Sequence, residues 1–308
     1  DCRNCAARSG RGSPFHSLAA MNLRLIILLL VSVPMTAFGG DFERDFTVVF
    51  ITQATEAKYG RFPFDRSLVA QAVEQAADAG AKGVILKFFL DRQSKTAEGD
   101  RRLATALSRV PVLLQARLDD SEKAPNSLEG RFTLPGASFK TAVSGSSGWI
   151  PLPEFSRRAH DVCFVDFDSS PAPIVEKYQD KTVKSLLACA VELAVGHKAV
   201  IRPVKDISIA GQTAFLDSLN RVTITLRHEK ALATFDFNSL LDGSIPPSAL
   251  RNKVVVIGYD GPSIPQVSSP VGTMGAHRLF VLMLKEYYES MIPNKAVATD
   301  APKAVPRR

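Results

Sequence analysis

Hydrophobic and polar positions follow two different periods in the first part of the chain, and together they predict alternating strands and helices. Residues 46–51 form a continuous apolar, β-branched run, and residues 84–90 and 111–118 predict the next two strands. Between them, residues 67–79 and 100–109 carry apolar side chains at helical spacing. Continuous apolar strands joined by amphipathic helices are typical of a parallel sheet with helices on both faces. The fold class is therefore predicted to be α/β, with a mainly parallel sheet.

The middle of the chain interrupts this pattern. Glycine, serine and proline are frequent from residue 120 to 160, which predicts a surface excursion or a β-rich insertion, with short strands near residues 131–134 and 139–143. Residues 162–167 then resume as a strand, and residues 182–195 predict a helix.

The last third predicts an antiparallel ribbon followed by a strand and a closing helix. Short β-type runs stand at hairpin spacing from residue 199 to 226. Residues 237–241 predict a helical turn, residues 254–257 a buried strand and residues 275–290 a helix. Ligands of open α/β sheets bind at the carboxyl ends of strands, beside helix N-termini. The carboxyl end of the 254–257 strand is therefore where a ligand is first expected.

The N-terminal region has the pattern of a processing signal. Met21 and Arg24 precede a short apolar run at residues 25–33, and Ala37-Phe38-Gly39 offers small residues at a cleavage position. The run is shorter than the roughly 20 residues that span a bilayer. Cleavage near Gly39 or Gly40 is expected.

These features divide the chain into four parts. Residues 1–20 are interpreted as an over-extended translation start, and residues 21–39 as a signal peptide. Residues 41–293 are predicted to form the folded domain, and residues 294–308 a disordered tail.

Charge and cysteine content limit the expected partners. The formal charge is +7, and removing the four arginines and one aspartate of residues 1–39 lowers it to +4. Basic blocks with interleaved aromatics are missing, so nucleic acid is not an expected partner. Cys163 and Cys189 remain in the predicted mature chain, where they either pair in an oxidising compartment or pack as small buried side chains.

No catalytic motif stands out. Asp166 and Asp168 lie near a strand end without His or Cys at metal-ligand spacing, and His228-Glu229 lacks the second histidine of a zinc-protease motif. Residues 145–148 do not form Gly-x-Ser-x-Gly, and there is no phosphate-binding loop motif. The sequence therefore predicts no metal, no cofactor and no enzymatic activity.

Several separated motifs nevertheless point to one family. The first half contains GRFPFDR (residues 60–66), AGAKGV (79–84) and LATAL (103–107). The second half contains IRPVKDISIAGQTAFLDSLNRVTITL (201–226), FDFNSLLDGSIPPSALRNKVVVIGYDG (235–261) and SSPVGTMGA (268–276). In this order the motifs resemble a type-two CHASE domain over residues 45–293. The resemblance implies an extracytoplasmic sensory module that binds a ligand or partner, in a periplasmic or secreted location.

The chain departs from this family where the resemblance implies acidic residues. An acidic pair is expected at Thr52 and Gln53, and an aspartate at Lys87. The glutamate and histidine expected after the last glycine fall on His277 and Leu279. A crevice that is acidic in the family has therefore lost carboxylates here and gained a lysine and a histidine, which favours an anion.

Six residues at strand ends, turns or the start of the last helix are the candidate ligand contacts. They are Lys87, Asp260, His277, Thr52, Gln53 and Arg61. Structural roles compete with binding: Lys87 could pair with Asp91 or Asp260, and His277 could be an exposed helix-start residue. The expected ligand is a small anion or a carboxylate-bearing partner.

The sequence thus favours an exported, sensor-like binding module without its own output domain, with a membrane signalling protein as a possible partner. An envelope assembly or structural protein is the main alternative. An unrecognised hydrolase is a third.

Overall fold

A computed structural model describes residues 41–118, 120, 127–135, 140–227 and 232–292. The predicted translation-start extension, the signal peptide and the predicted tail lie outside the described residues. None of the described helices is both long and apolar enough to cross a membrane.

The elements are given in chain order. The helices are α1 (Asp41–Asp45), α2 (Gln53–Tyr59), α3 (Arg66–Asp78), α4 (Ala97–Ala106), α5 (Pro153–Ser156), α6 (Leu186–Val195), α7 (Phe237–Leu241), α8 (Pro247–Leu250) and α9 (Ala276–Met291), with a 3₁₀ turn at Gly130–Phe132. The strands are β1 (Phe46–Ile51), β2 (Gly83–Lys87), β3 (Val112–Leu118), β4 (Thr133–Leu134), β5 (Ser144–Gly145), β6 (Gly148–Trp149), β7 (Asp161–Phe164), β8 (Ala172–Pro173), β9 (Val175–Tyr178), β10 (Lys181–Lys184), β11 (Val200–Arg202), β12 (Asp206–Ile209), β13 (Gln212–Phe215), β14 (Arg221–Val222), β15 (Thr234–Asp236), β16 (Val254–Tyr259), β17 (Gln266–Ser269) and β18 (Gly272–Gly275).

The main sheet is parallel in the order β15-β1-β16-β2-β3-β7, and β6 adds an antiparallel pair at the carboxyl end of β3. One row of paired residues crosses it from Val48 to Val256, Ile85 and Leu113. The predicted α/β class with a mainly parallel sheet is confirmed.

Helices cover both faces of this sheet, and each face has its own core. Val49, Val84 and Leu86 face one core, which includes residues of α3, α4 and α7. Val48 and Ile85 face the other, which includes residues of α6 and α9. Because neighbouring residues of a strand point to opposite faces, strands that are buried on both faces must be apolar throughout. This requirement explains the continuous apolar runs of the sequence.

Side chains at the start of α3 join it to α4. Asp65 caps α3, and its carboxylate accepts a hydrogen bond from the Ser67 N–H at 2.8 Å. Arg66 does not pair with Asp65; its Nη1 lies 2.7 Å from Oδ1 of Asp100 on α4. The guanidinium also lies 4.9 Å from the ring centroid of Phe155, so this buried ion pair fixes several elements at once.

The smaller sheets confirm some predictions and correct others. The ribbon β11-β12-β13 is antiparallel, as predicted. The interrupted region supplies β4 and β5 to a second sheet in the order β4-β10-β9-β5. The predicted strand at residues 222–226 is paired only at β14.

The helix predicted at residues 182–195 begins later than expected. Residues 182–184 belong to β10, which pairs with β9, and α6 begins at Leu186 after the N-cap residue Ser185. The prediction was wrong here because the pairing of β10 depends on a neighbouring strand that the apolar periodicity does not reveal. Likewise, the strand predicted at residues 84–90 ends at Lys87.

A disulfide joins Cys163 of β7 to Cys189 of α6, with 6.7 Å between the two Cα atoms. The structure therefore selects the pairing that the sequence left open. The buried Lys184 lies close by, with its Nζ 3.2 Å from Oδ2 of Asp161 and 2.7 Å from Oε2 of Glu192. A covalent link and a buried ion network thus hold α6 against the sheet.

Reducing this disulfide should destabilise the domain. The cysteines are 26 residues apart, and closing a loop of that length stabilises a fold by about 3 kcal/mol through the unfolded state. Denaturant unfolding of the purified protein with and without dithiothreitol measures the loss. The double variant Cys163→Ala/Cys189→Ala is the control and should not respond to dithiothreitol. Two free thiols in the oxidised native protein would contradict the pairing.

Candidate ligand-binding crevice

A cavity of about 650 Å³, here called the crevice, opens at the carboxyl ends of β2, β3 and β7 beside the first turns of α9. Its lining residues come from these elements, from β6 and from the segment that includes β17. They are Lys87, Phe89, Gln115, Arg117, Trp149, Val165, Asp166, Phe167, Asp168, Ile264, Pro265, Val267, Ala276, His277, Leu279, Phe280 and Met283. The position is the one at which open parallel sheets bind their ligands.

Strand periodicity places two polar residues in the crevice. Ile85 and Leu113 face the core beneath α6 and α9. Two residues later on the same strands stand Lys87 and Gln115, and both are buried. Because the side-chain period of a strand is two, they continue the two apolar rows on the same face. The apolar surface of the sheet thus becomes polar at its carboxyl end.

Gly258 allows α9 to approach this polar edge. It pairs with Lys87 in the register of β16 and β2. A Cβ atom at Gly258 would lie 3.1 Å from the ring of Phe50 and 3.6 Å from the Cβ of His277. The first of these distances is shorter than ordinary van der Waals contact, so a side chain would push the neighbouring groups away. Glycine at this position therefore lets α9 bring its first turn over the sheet.

Lys87 is 6% exposed, and its Nζ donates a hydrogen bond to Oε1 of Gln115 at 2.6 Å. The same Nζ lies 4.8 Å from the ring centroid of Phe280. Burial, and next the positive charge of Arg117, lower the pKa of Lys87 to about 7, although Asp166 acts in the opposite direction. The ammonium and amine forms therefore coexist at neutral pH.

The acids that the sequence offered as partners for Lys87 are engaged elsewhere. Asp91 lies 3.5 Å from Arg92, and Asp260 lies 2.6 Å from Arg278. Among the described residues, no carboxylate is within salt-bridge distance of the Lys87 ammonium. An ammonium group has three N–H donors, and within the described part of the chain Gln115 accepts a hydrogen bond from one of them.

The ring of His277 is neutral, and its Nε2–H group can donate a hydrogen bond. Its Nδ1 accepts a hydrogen bond from the Tyr259 N–H at 2.9 Å, so the ring proton of the neutral form is on Nε2. Burial, and next the charge of Lys87, hold the pKa of His277 well below its usual value. The histidine is therefore largely buried rather than an exposed helix-start residue, and it offers an N–H group instead of a positive charge.

The two aspartates of the crevice differ in their surroundings. Both oxygens of Asp166 accept from the Leu118 N–H at 2.9 Å, and its Oδ1 lies 3.8 Å from Nε of Arg117. Burial, and next the Asp166 charge, raise the pKa of Glu176 well above its usual value. Asp168, by contrast, is exposed.

The remaining predicted contacts do not line the crevice. Asp260 pairs with Arg278, and the hydroxyl of Thr52 donates to Oδ2 of Asp236 at 2.6 Å. Gln53, at the start of α2, and Arg61 are exposed. Of the six candidates, the crevice brings together Lys87 and His277.

Sequence reasoning missed several crevice residues. Gln115 interrupts the apolar run of β3 two residues after Leu113, and this polar position in a buried strand was a usable signal. Arg117 occupies the next position on the same face. Trp149 comes from the interrupted region, where no periodicity indicated a role.

Comparison with known families assigns the fold. The model of the CHASE2 domain family matches residues 19–299, which include all the crevice residues. No curated protein and no solved structure matches the chain. Because the family match spans nearly the whole sequence, the resemblance seen in the motifs is confirmed. The chain belongs to the CHASE2 domain family, a family of extracytoplasmic sensory domains.

Proposed function

We propose that this sensory domain binds a small carboxylate-bearing ligand in the crevice and that Lys87 is its main contact. The observation that carries the proposal is a buried lysine on the wall of a 650 Å³ cavity, with no carboxylate of the described residues within salt-bridge distance. An unpaired buried ammonium is costly, and an anionic ligand removes that cost.

The donors of the crevice suit a carboxylate. The charged Lys87 has two N–H groups for which the described residues supply no hydrogen-bond acceptor, and the neutral His277 carries its proton on Nε2. A carboxylate has two oxygens that together accept several hydrogen bonds. Hydrogen bonds between charged groups are roughly twice as strong as neutral ones, so Lys87 is assigned the larger share of the affinity.

Binding without turnover fits the lining better than hydrolysis. No serine, threonine or cysteine stands among the described lining residues, so the crevice supplies no hydroxyl or thiol nucleophile. His277 accepts a backbone N–H at Nδ1 and is not available there as a proton acceptor. We therefore assign the crevice a sensory role and no enzymatic one.

The helix α9 is the element through which occupancy would be transmitted to a membrane signalling partner. Its first turn lines the crevice at His277, and its other end contacts the segment at which the described domain begins. There Tyr288 packs edge-on against Phe46 with 5.2 Å between ring centroids, and its hydroxyl lies 3.2 Å from Nη2 of Arg44 on α1. A ligand that displaces α9 therefore acts on α1 as well.

Carboxylates should stabilise the protein through Lys87. The probes are acetate, phenylacetate and inorganic phosphate. A ligand at a hundredfold excess over Kd adds about 2.7 kcal/mol to the free energy of unfolding. Thermal and denaturant unfolding measure this gain. Lys87→Met keeps much of the side-chain volume without the charge, and it should abolish the gain while leaving the fold intact.

Lys82→Met is the matched control, because Lys82 is an exposed lysine just before the other end of the same strand β2. This variant should respond to carboxylates like the wild type. Equal stabilisation of all three proteins would indicate a general salt effect and contradict the proposal. The absence of any stabilisation would favour an envelope assembly role.

Carboxylate affinity should fall as the pH rises through about 7. The groups facing Lys87 are Gln115 and Arg117 of β3, Asp166 after β7 and His277 of α9. The ammonium form binds the anion, so affinity is full below the lowered pKa of Lys87 and declines above it, by up to about tenfold per pH unit.

Trp149 provides the readout for this titration. It is the one tryptophan of the chain and lines the crevice, so its emission reports occupancy. Titration with phenylacetate at pH 6, 7, 8 and 9 gives Kd at each pH, and Lys82→Met should show the same profile. A Kd for phenylacetate that does not change between pH 6 and 9 would contradict the contact between Lys87 and the carboxylate.

We also propose that the domain is exported with a cleaved leader. The small residues at 37–39 predict a mature N-terminus at Gly39, Gly40 or Asp41. Mass spectrometry of the protein isolated from cells measures this N-terminus. A membrane-held protein that begins at Met21 would contradict cleavage.

A further inference from the structure

We infer that the ligands of the crevice are monocarboxylates with an aromatic body. The carboxylate pairs with Lys87, and the ring lies against four side chains that we call the aromatic wall: Phe89, Trp149, Phe167 and Phe280. This inference rests on the proposed carboxylate binding. It adds the chemical class of the ligand body that carries the carboxylate.

The aromatic wall offers ring surface to a ligand. Phe89 and Trp149 pack edge to face with 4.6 Å between centroids, and Phe167 and Phe280 lie 6.2 Å apart. Phe89, Trp149 and Phe167 are each only partly buried, although they line a cavity. Aromatic rings favour edge-to-face and offset contacts with a further ring, so an aromatic guest gains energy beyond the burial of its apolar area.

The size of the crevice excludes a bare anion as its full occupant. A volume of about 650 Å³ is within the range of roughly 300–1,000 Å³ of sites that hold small organic molecules. Acetate or phosphate at Lys87 would leave the aromatic wall in contact with water. A ligand with an apolar body displaces that water, and this displacement is favourable.

The charges of the crevice select for a single carboxylate. Arg117 and Asp166 lie 3.8 Å apart and offset each other. The charges left over are the buried Lys87 and the exposed Asp168. A second carboxylate on the ligand would meet the aromatic wall or the negative charge of Asp168, and both are unfavourable. Dianions should therefore bind more weakly than monoanions.

The test is a set of four probes that differ in one property at a time. Acetate has the charge alone, and cyclohexylacetate adds an apolar body. Phenylacetate replaces that body with an aromatic ring, and 1,4-phenylenediacetate adds a second carboxylate to the aromatic ring. Isothermal titration calorimetry, supported by Trp149 emission, gives Kd for each. We expect phenylacetate to bind at least tenfold more tightly than acetate and several-fold more tightly than cyclohexylacetate, with the dianion at least tenfold weaker than phenylacetate.

Three variants test which residues cause the differences in Kd between the probes. Phe89→Leu should weaken phenylacetate about fivefold and leave acetate unchanged. Phe215→Leu is the matched control, because Phe215 is 82% exposed and does not line the crevice, and it should change neither. Asp168→Asn should improve binding of the dianion more than binding of phenylacetate. Far-ultraviolet circular dichroism checks that each variant is folded.

The results of these experiments distinguish a failure of the aromatic ligand class from a failure of the proposed carboxylate site. If all four probes bind with similar Kd and all require Lys87, the carboxylate site stands and the aromatic class is wrong. Equal affinities for phenylacetate and cyclohexylacetate, or equal losses in Phe89→Leu and Phe215→Leu, would also overturn the aromatic class. If no probe depends on Lys87, both the inference and the proposed function fail.

Discussion

The parallel pairing of β16 between β1 and β2 is the constraint on which the crevice depends. This strand forms from the last third of the chain and completes the central part of the sheet. Its register sets Gly258 beside Lys87, and its hydrogen bond from Tyr259 fixes the ring of His277. The helix that follows then closes the crevice with Phe280. Contacts between distant segments, rather than any local motif, thus create the site.

The sequence predicts the parts of the structure that follow from local physical rules. Strands buried on both faces are mainly apolar, so β1 and β16 were visible as continuous apolar runs. The strands β2 and β3 were visible as apolar runs that Lys87, Gln115 and Arg117 interrupt. The helices α3 and α4 were predicted because their apolar side chains recur at helical spacing. Elements that depend on a distant partner were missed or misassigned, as with β10, whose residues fit a helix until β9 is placed beside them.

The same distinction applies to the candidate site. A lysine in a buried strand and a histidine at a helix start are unusual enough to be noticed, and both line the crevice. Their charge states, however, depend on burial and on neighbours that the sequence does not place. Desolvation lowers the pKa of Lys87 to about 7, and desolvation followed by the charge of Lys87 holds the pKa of His277 well below its usual value. The crevice therefore carries less positive charge than a count of its basic residues suggests.

The residues that line the crevice come partly from strands of the central sheet and partly from the irregular region between residues 120 and 160. Lys87 and Gln115 belong to the central sheet, where pairing with Gly258 of β16 and Cys163 of β7 fixes the backbone at these two positions. Trp149 belongs to β6, a two-residue strand within the irregular region that pairs with the carboxyl end of β3. Irregular segments tolerate substitution and insertion far better than central strands. This outer segment can therefore vary in sequence and change the shape of the crevice, while the paired strands of the central sheet keep Lys87 and Gln115 in place.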